Sequence, residues 1–170
     1  MDSSQIHIKL VSSDNGLWAQ CYSWFLDTYF LAVEDEIKKG SARSWRRVDR
    51  SQRDELKKVF ENLISQKDKT CLLIAFEGDQ PRGYFLGIVK DCVAEIPSMV
   101  GYINGLYVDP SKRRQKVASR LYEKGIQWFQ EHEIFHYELY VALESQEAHQ
   151  FWSQKGFVLS EQVMNLSLKK

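Results

Sequence analysis

The spacing of apolar residues changes several times along the chain, and each change predicts an element. Residues 6–11, "IHIKLV", alternate apolar and polar with period two, the pattern of a half-buried strand. "SSDNG" follows as a loop whose Ser and Asp suit a helix cap. From 17 to 37, Leu17, Cys21, Trp24, Phe25, Thr28, Leu31 and Ala32 recur at helical spacing, and "KKGSARSW" ends that helix at Gly40. Asp49 or Ser51 starts a second helix, with Leu56, Val59, Phe60, Leu63 and Ile64 as its stripe.

The middle of the chain switches to strands. "TCLLIAFE" (70–77) is a continuous apolar run, "GDQP" is a turn, and "RGYFLGIVKD" (82–91) returns, which predicts a β-hairpin. "GYINGLYV" (101–108) is a further strand, stopped by Asp109-Pro110. The next helix has Val117, Ala118, Leu121, Tyr122, Gly125, Ile126, Trp128 and Phe129 on its apolar face. "YELYVAL" (137–143) reads as a strand, "SQEAHQFWSQKGF" as a short helix from Ser145 ending at Gly156, and "FVLS" and "VMNLSL" as two last short strands. Strand, helix, strand over 101–143 is a right-handed parallel crossover, so the fold class is α/β with a mixed sheet.

Composition narrows the class. A chain of 170 residues, 44% apolar and 27% charged, suits one globular domain over 1–170. Its 23 basic residues balance 23 acidic ones, which disfavours a general binder of nucleic acid. Cys21, Cys71 and Cys92 are far apart and fit small core residues in a reducing compartment, neither a disulfide framework nor a zinc site. The start "MDSSQIHIKL" is no secretory signal, and no apolar run nears the roughly 20 residues of a membrane span, so a cytoplasmic protein with no membrane partner is expected. His7, His132, His136 and His149 show no ligand set, so no metal is expected.

The strand–helix junction "LYVDPSKRRQKVASRL" (106–121) carries the chemistry. A helix after a parallel strand aims its unpartnered first-turn N–H groups at the carboxyl edge of the sheet, a ready anion site. Read as that first turn, Lys112, Arg113, Arg114 and Lys116 oppose the helix dipole at about 0.3–1 kcal/mol each, a cost that a bound polyphosphate reverses. The plainer alternative is a solvated basic turn.

Three motifs in order resemble the GNAT superfamily of N-acetyltransferases from about Thr70 onward: "LYVDP", then "RRQKVA" against the pattern [QR]-x-x-G-x-[GA], then the "A-x-x-F-W-x-x-x-G-F" ending over 148–157. The resemblance implies the GNAT-like acyl-CoA N-acyltransferase fold: a mixed, mainly antiparallel sheet with a central parallel pair that splays apart, and helices on both faces. It implies acetyl-CoA as cosubstrate, with its diphosphate on backbone N–H groups of Arg113, Arg114, Gln115, Lys116, Val117, Ala118 and Ser119. The pantetheine arm would lie between strands 101–108 and 137–143, pairing near Leu106 and Val108, with the Val108 N–H as oxyanion donor. Tyr102 falls near the family's general base; Tyr140 and His149 are further candidates.

Three positions depart from the family. Lys116 stands where glycine is usual; a helical φ there needs no glycine and the ammonium can turn onto a phosphate, so binding is expected to survive, shifted or weakened. Ser145 replaces an Asn that touches the cofactor, and serine is equally an N-cap. Trp152 replaces a tyrosine that protonates the leaving thiolate; an indole N–H donates a hydrogen bond but no proton.

The implied activity is acetyl transfer from acetyl-CoA to a primary amine, on a small molecule or a protein. "VEDE" (33–36) beside Trp18, Trp24, Phe25, Tyr29, Phe30 and Trp45 offers a surface for a cationic amine, or simply the solvated acidic end of a helix. Edge strands of this family often pair between chains, which admits a homodimer. Two alternatives stay open: a weak or inactive acyl-CoA binder on the same fold, and a protein that meets nucleic acid through residues 112–116.

Overall fold

The computed structural model describes residues 5–39 and 47–160. It is an α/β protein built on one five-stranded sheet in the order β1-β2-β3-β4-β5. The strands are β1 (Ile6–Val11), β2 (Thr70–Glu77), β3 (Gln80–Asp91), β4 (Met99–Val108) and β5 (Tyr137–Glu138). The helices are α1 (Leu17–Lys38), α2 (Arg53–Ser65), α3 (Val117–Glu131) and α4 (Gln146–Gln154). Neighbouring strands β1 to β4 pair antiparallel, and β4 pairs parallel with β5. Two compact units share the chain: one from 1–26 and 52–139, which holds the sheet, α2 and α3, and one from 27–51 and 140–170.

Sheet alternation puts helices on both faces of the first unit. Tyr84 and Phe85 are successive residues of β3, so their side chains leave opposite faces. Tyr84 meets Phe25 of α1 edge-on at 5.0 Å, and Phe25 meets Phe60 of α2 at 4.8 Å. Phe85 meets Phe129 of α3 at 6.3 Å. β2 is buried along nearly its whole length because both of its faces are covered, which explains its unbroken apolar run.

Several expected boundaries move. The cap of α1 is Asn15, not its Ser and Asp neighbours: its Oδ1 accepts from Leu17 N at 3.2 Å and its Nδ2 donates to Leu10 O at 2.7 Å. Val59 is exposed rather than part of the α2 stripe, where Phe60 and Ile64 are buried. The hairpin strand starts earlier than expected, at Gln80, because Gly78 at φ +57 makes a tighter turn. β5 holds only Tyr137–Glu138 of the expected 137–143, and residues 157–160 form no strand. The expected strand at 163–168 and Trp45 lie outside the described residues. Among those residues, no helix is long and apolar enough to cross a membrane.

The second unit is a set of helix segments and connections. Glu34 takes two hydrogen bonds from Arg50, at 3.1 and 3.2 Å, and Asp35 pairs with Lys39 at 2.7 Å. Those two carboxylates of "VEDE" therefore face cations of the chain itself. Glu144 N donates to Lys39 O at 3.0 Å.

Candidate active site

The site begins with a register fault in β4. Leu86 pairs with Gly105 and Gly87 with Ile103, so Asn104 is an extra residue, a β-bulge. Below the bulge Gly101 N donates to His136 O at 2.8 Å, toward β5. Above it Asp109 N donates to Arg82 O at 2.7 Å, toward β3. In an antiparallel ladder peptide direction alternates, so Asp109 and Tyr107 face β3 while Val108 and Leu106 face away. An unbulged strand would have turned those two peptides inward.

The parallel ladder stops where that edge opens. Its only pairs are Gly101 with Tyr137 and Tyr102 with Glu138. Lys90 on β3 crosses this closed end, 2.7 Å from Glu138 and 3.6 Å from the centre of the Tyr102 ring. Beyond it, among the described residues, the outward peptides of Leu106 and Val108 have no strand partner. Tyr102 sits roughly 20 Å from Val108 at ~3.3 Å per residue.

The basic loop after β4 is not the first turn of α3. A 3-10 turn, Pro110–Lys112, comes first, and the α-helix starts at Val117. Lys112, Arg113, Arg114 and Lys116 therefore precede the helix and do not form its first turn. Lys116 is the N-cap residue and is left-handed, φ 60 and ψ 13, which corrects the helical φ expected from sequence. Arg114 is left-handed too, at φ 60. A left-handed φ is what a glycine would adopt freely, at a cost of roughly 1–2 kcal/mol for a residue with Cβ. Alternation of φ sign at 114, 115 and 116 turns successive N–H groups into one concavity, an anion nest. The first bond from the helix start is Arg120 N to Lys116 O, 3.0 Å, so the N–H groups of residues 117–119 lack an intrahelical partner.

The loop's cations are not equivalent. Lys112 Nζ lies 2.5 Å from Glu77 Oε1, and Arg82 Nε lies 3.2 Å from Glu77 Oε2. Hydrogen bonding to Lys112 holds the Glu77 carboxyl below its usual range. Asp109 accepts from Ser111 N at 2.9 Å and Oγ at 2.7 Å, and those bonds lower its carboxyl as well. Arg113 Nε donates to Val108 O at 3.3 Å. Arg114, Gln115 and Lys116 are exposed, Val117 is buried, and Ala118 and Ser119 are half-buried.

An aromatic group flanks the open edge. Tyr107 stacks on Tyr84 at 5.9 Å, and Trp24 meets both rings edge-on at 6.4 Å. Burial pushes the Tyr107 hydroxyl up, Asp109 adds to that, and Arg113 opposes it. It is a protonated hydrogen-bond donor at neutral pH.

Ser145 and Trp152 belong to the second unit. Ser145 sits at the N-cap of α4 but makes no capping bond with its hydroxyl. Trp152 packs edge-on against Phe151 at 5.0 Å and Phe157 at 5.3 Å. His149 Nε2 lies 3.2 Å from Ala142 O. Sequence reasoning missed Glu77 and Arg82, which flank the "GDQP" turn, and the Asn104 bulge. Gly105 inside the strand pattern was the available cue to the bulge, and the charges of Glu77 and Arg82 beside a turn were the cue to that pair.

The profile of the Acetyltransferase (GNAT) family matches residues 18–157. No curated protein sequence gives a match. A predicted acetyltransferase from Clostridium acetobutylicum, solved with acetyl-CoA, superposes with a TM-score of 0.75 at 15% identity, covering 96% of each chain. Glucosamine-6-phosphate N-acetyltransferase from Arabidopsis thaliana gives 0.67 at 12% identity over 97% of this chain and 99% of that one. An aminoglycoside acetyltransferase from an uncultured soil metagenomic sample, in complex with sisomicin, gives 0.65 at 15% over 97% and 96%. At these identities the superpositions show a shared fold, and the profile covers most of the sequence: the chain belongs to the Acetyltransferase (GNAT) family.

Proposed function

We propose that the protein transfers an acetyl group from acetyl-CoA to a primary amine, with a small molecule as the acceptor. The carrying observation is the pairing of two donor sets: the outward peptides of Leu106 and Val108 on β4, and the 114–119 amides in the loop that follows. The nest takes the diphosphate, with Arg114 and Lys116 beside it. The arm runs back along the open edge of β4 as an added strand.

The order of groups in coenzyme A changes one expectation. Diphosphate, arm amides and thioester follow one another, and the loop lies beyond Val108. Val108 is therefore met first and serves the arm, while the Leu106 N–H, roughly 7 Å deeper, serves the thioester oxygen. The amine nitrogen attacks the thioester carbon, the carbonyl oxygen gains negative charge against that N–H, and the C–S bond breaks. The thiolate takes a proton and the amide is left neutral once nitrogen loses its own. Tyr102 lies four residues, roughly 13 Å, along β4 from Leu106, and water at the open face is the proposed acceptor of that proton. The acceptor class is supported by relatives of this fold that act on aminoglycosides and on glucosamine-6-phosphate.

Calorimetry with CoA and a thiol-release assay over polyamines, aminoglycosides, amino sugars and peptides test this. Saturable CoA binding and thiol release that depends on a small amine are expected. Binding without turnover over the whole panel favours the inactive binder that Trp152 in the tyrosine's place suggests. No CoA binding at millimolar concentration overturns the assignment.

A further inference from the structure

We propose that Glu77 is a positioning residue for the diphosphate loop, fastening the 109–112 turn to the β2–β3 hairpin and so setting the 114–119 amides against the β4 donors. The proposal rests on the acyl-CoA reading of the junction. Glu77 ends β2, next to Gly78 in the hairpin turn. Its carboxylate accepts from two elements at once: Lys112 at 2.5 Å, from the loop, and Arg82 at 3.2 Å, from β3. All three side chains are largely withdrawn from solvent, with exposures of 18% for Glu77, 20% for Lys112 and 30% for Arg82.

The chain of contacts continues to the loop's other end. Arg82 Nη1 lies 3.7 Å from Asp109 Oδ2, and Asp109 N donates to Arg82 O at 2.7 Å. Asp109 in turn accepts twice from Ser111. The 3-10 turn is thus held on both sides, at Asp109 and at Lys112, by groups of the hairpin. Arg114 and Lys116 follow immediately and are exposed. The loop's cations divide: Lys112 holds the loop to the sheet, Arg113 bonds to Val108 O, and Arg114 and Lys116 face the anion. A loop that carries two left-handed residues with side chains gains most from such an external fastening, because nothing in its own conformational preference keeps the amides converged.

The competing reading is that Glu77 merely occupies Lys112 until a phosphate displaces it. The two readings give opposite signs for one substitution. Glu77→Gln keeps the shape and removes the charge. If Glu77 positions the loop, affinity for CoA falls by about tenfold. The KM for acetyl-CoA rises with little change in kcat, and the KM for S-acetyl-pantetheine, which lacks the diphosphate, stays within about twofold. Glu77→Asp, which shortens the reach without removing the carboxylate, gives the same sign should the first variant not fold. Unchanged or tighter CoA binding overturns the proposal. So does an equal loss with S-acetyl-pantetheine, which marks general loosening of the sheet end. A wild-type protein that binds no CoA instead overturns the functional reading, and the two failures are told apart on the first titration.

Discussion

Arg113 Nε donates to the carbonyl oxygen of Val108 at 3.3 Å, tying the loop back to the last residue of the strand it leaves. Both groups sit on the free edge of β4. Arg113→Ala removes a charge-assisted bond that is partly open to solvent. A loss of about 1 kcal/mol follows, some fivefold in CoA affinity by calorimetry. Arg113→Gln keeps a donor and recovers part of that loss. An unchanged dissociation constant in both variants removes Arg113 from the site.

Lys116 pays for its left-handed φ of 60 with a Cβ that glycine lacks. Lys116→Gly removes roughly 1–2 kcal/mol of strain and adds about 0.5–1 of unfolded-chain entropy. The net is a small gain, about 0.5 kcal/mol, read as a melting temperature up by a degree or two. CoA affinity is kept or improved because the backbone approaches more closely. Lys116→Val, β-branched, moves both quantities the other way. Abolished binding in the glycine variant would show that the ammonium, not the amides, holds the phosphate.

Leu106 presents its N–H to the open edge, where no ladder bond depends on it. Leu106→Pro therefore deletes one donor at small cost to the sheet. With acetyl-CoA saturating, kcat falls about 10²-fold while CoA binding changes little. The same fall produced by Val108→Pro, with Leu106→Pro near wild type, would restore Val108 as the oxyanion donor.

Gly125 faces Phe85 so closely that an added Cβ would lie 2.3 Å from Cε1. Phe85 is fully buried, so α3 has to move. Gly125→Ala costs about 1–3 kcal/mol in urea unfolding and displaces the start of α3, with CoA affinity falling alongside stability. A variant as stable as wild type contradicts the packing.

Glu77 and Asp109 both have carboxyls held below the usual range, chiefly by Lys112 and by Ser111 respectively. A folded-state pKa below the unfolded one adds stability above the unfolded value, lost as pH falls through the folded one. Wild type and Glu77→Gln therefore differ in stability above the ordinary carboxylate range, and the difference is lost as pH falls through the lowered Glu77 value. Denaturant midpoints measured against pH read this directly; a gap that does not narrow on acidification rules out the carboxylate as its source.

Thiol chemistry gives a structural check. Burial pushes the Cys21 thiol up to about 11 and raises Cys71 further, and neither side chain is exposed. Cys92 is half-exposed. In native protein Cys92 reacts with a disulfide reagent first, and the other two wait for unfolding.

Much of this protein was legible in order along the chain. Period-two and period-3.6 spacing gave β1, α1 and α3, because those periods are imposed by the backbone wherever one face is buried, while turn chemistry gave the hairpin and β-branched and aromatic residues gave β4. "LYVDP", "RRQKVA" and the 148–157 ending pointed to the family that the profile over 18–157 then showed. Three things depended on tertiary structure. The extra residue at Asn104, which turns Leu106 and Val108 outward, exists only in the register of β4 against β3. The left-handed φ of Lys116, at the junction of the loop with α3, is selected by no local preference of lysine. The grip of Glu77 on Lys112 joins residues 35 apart in sequence. Sequence patterns report which face of an element is apolar; pairing register and the closing of distant charges are set only when the elements meet.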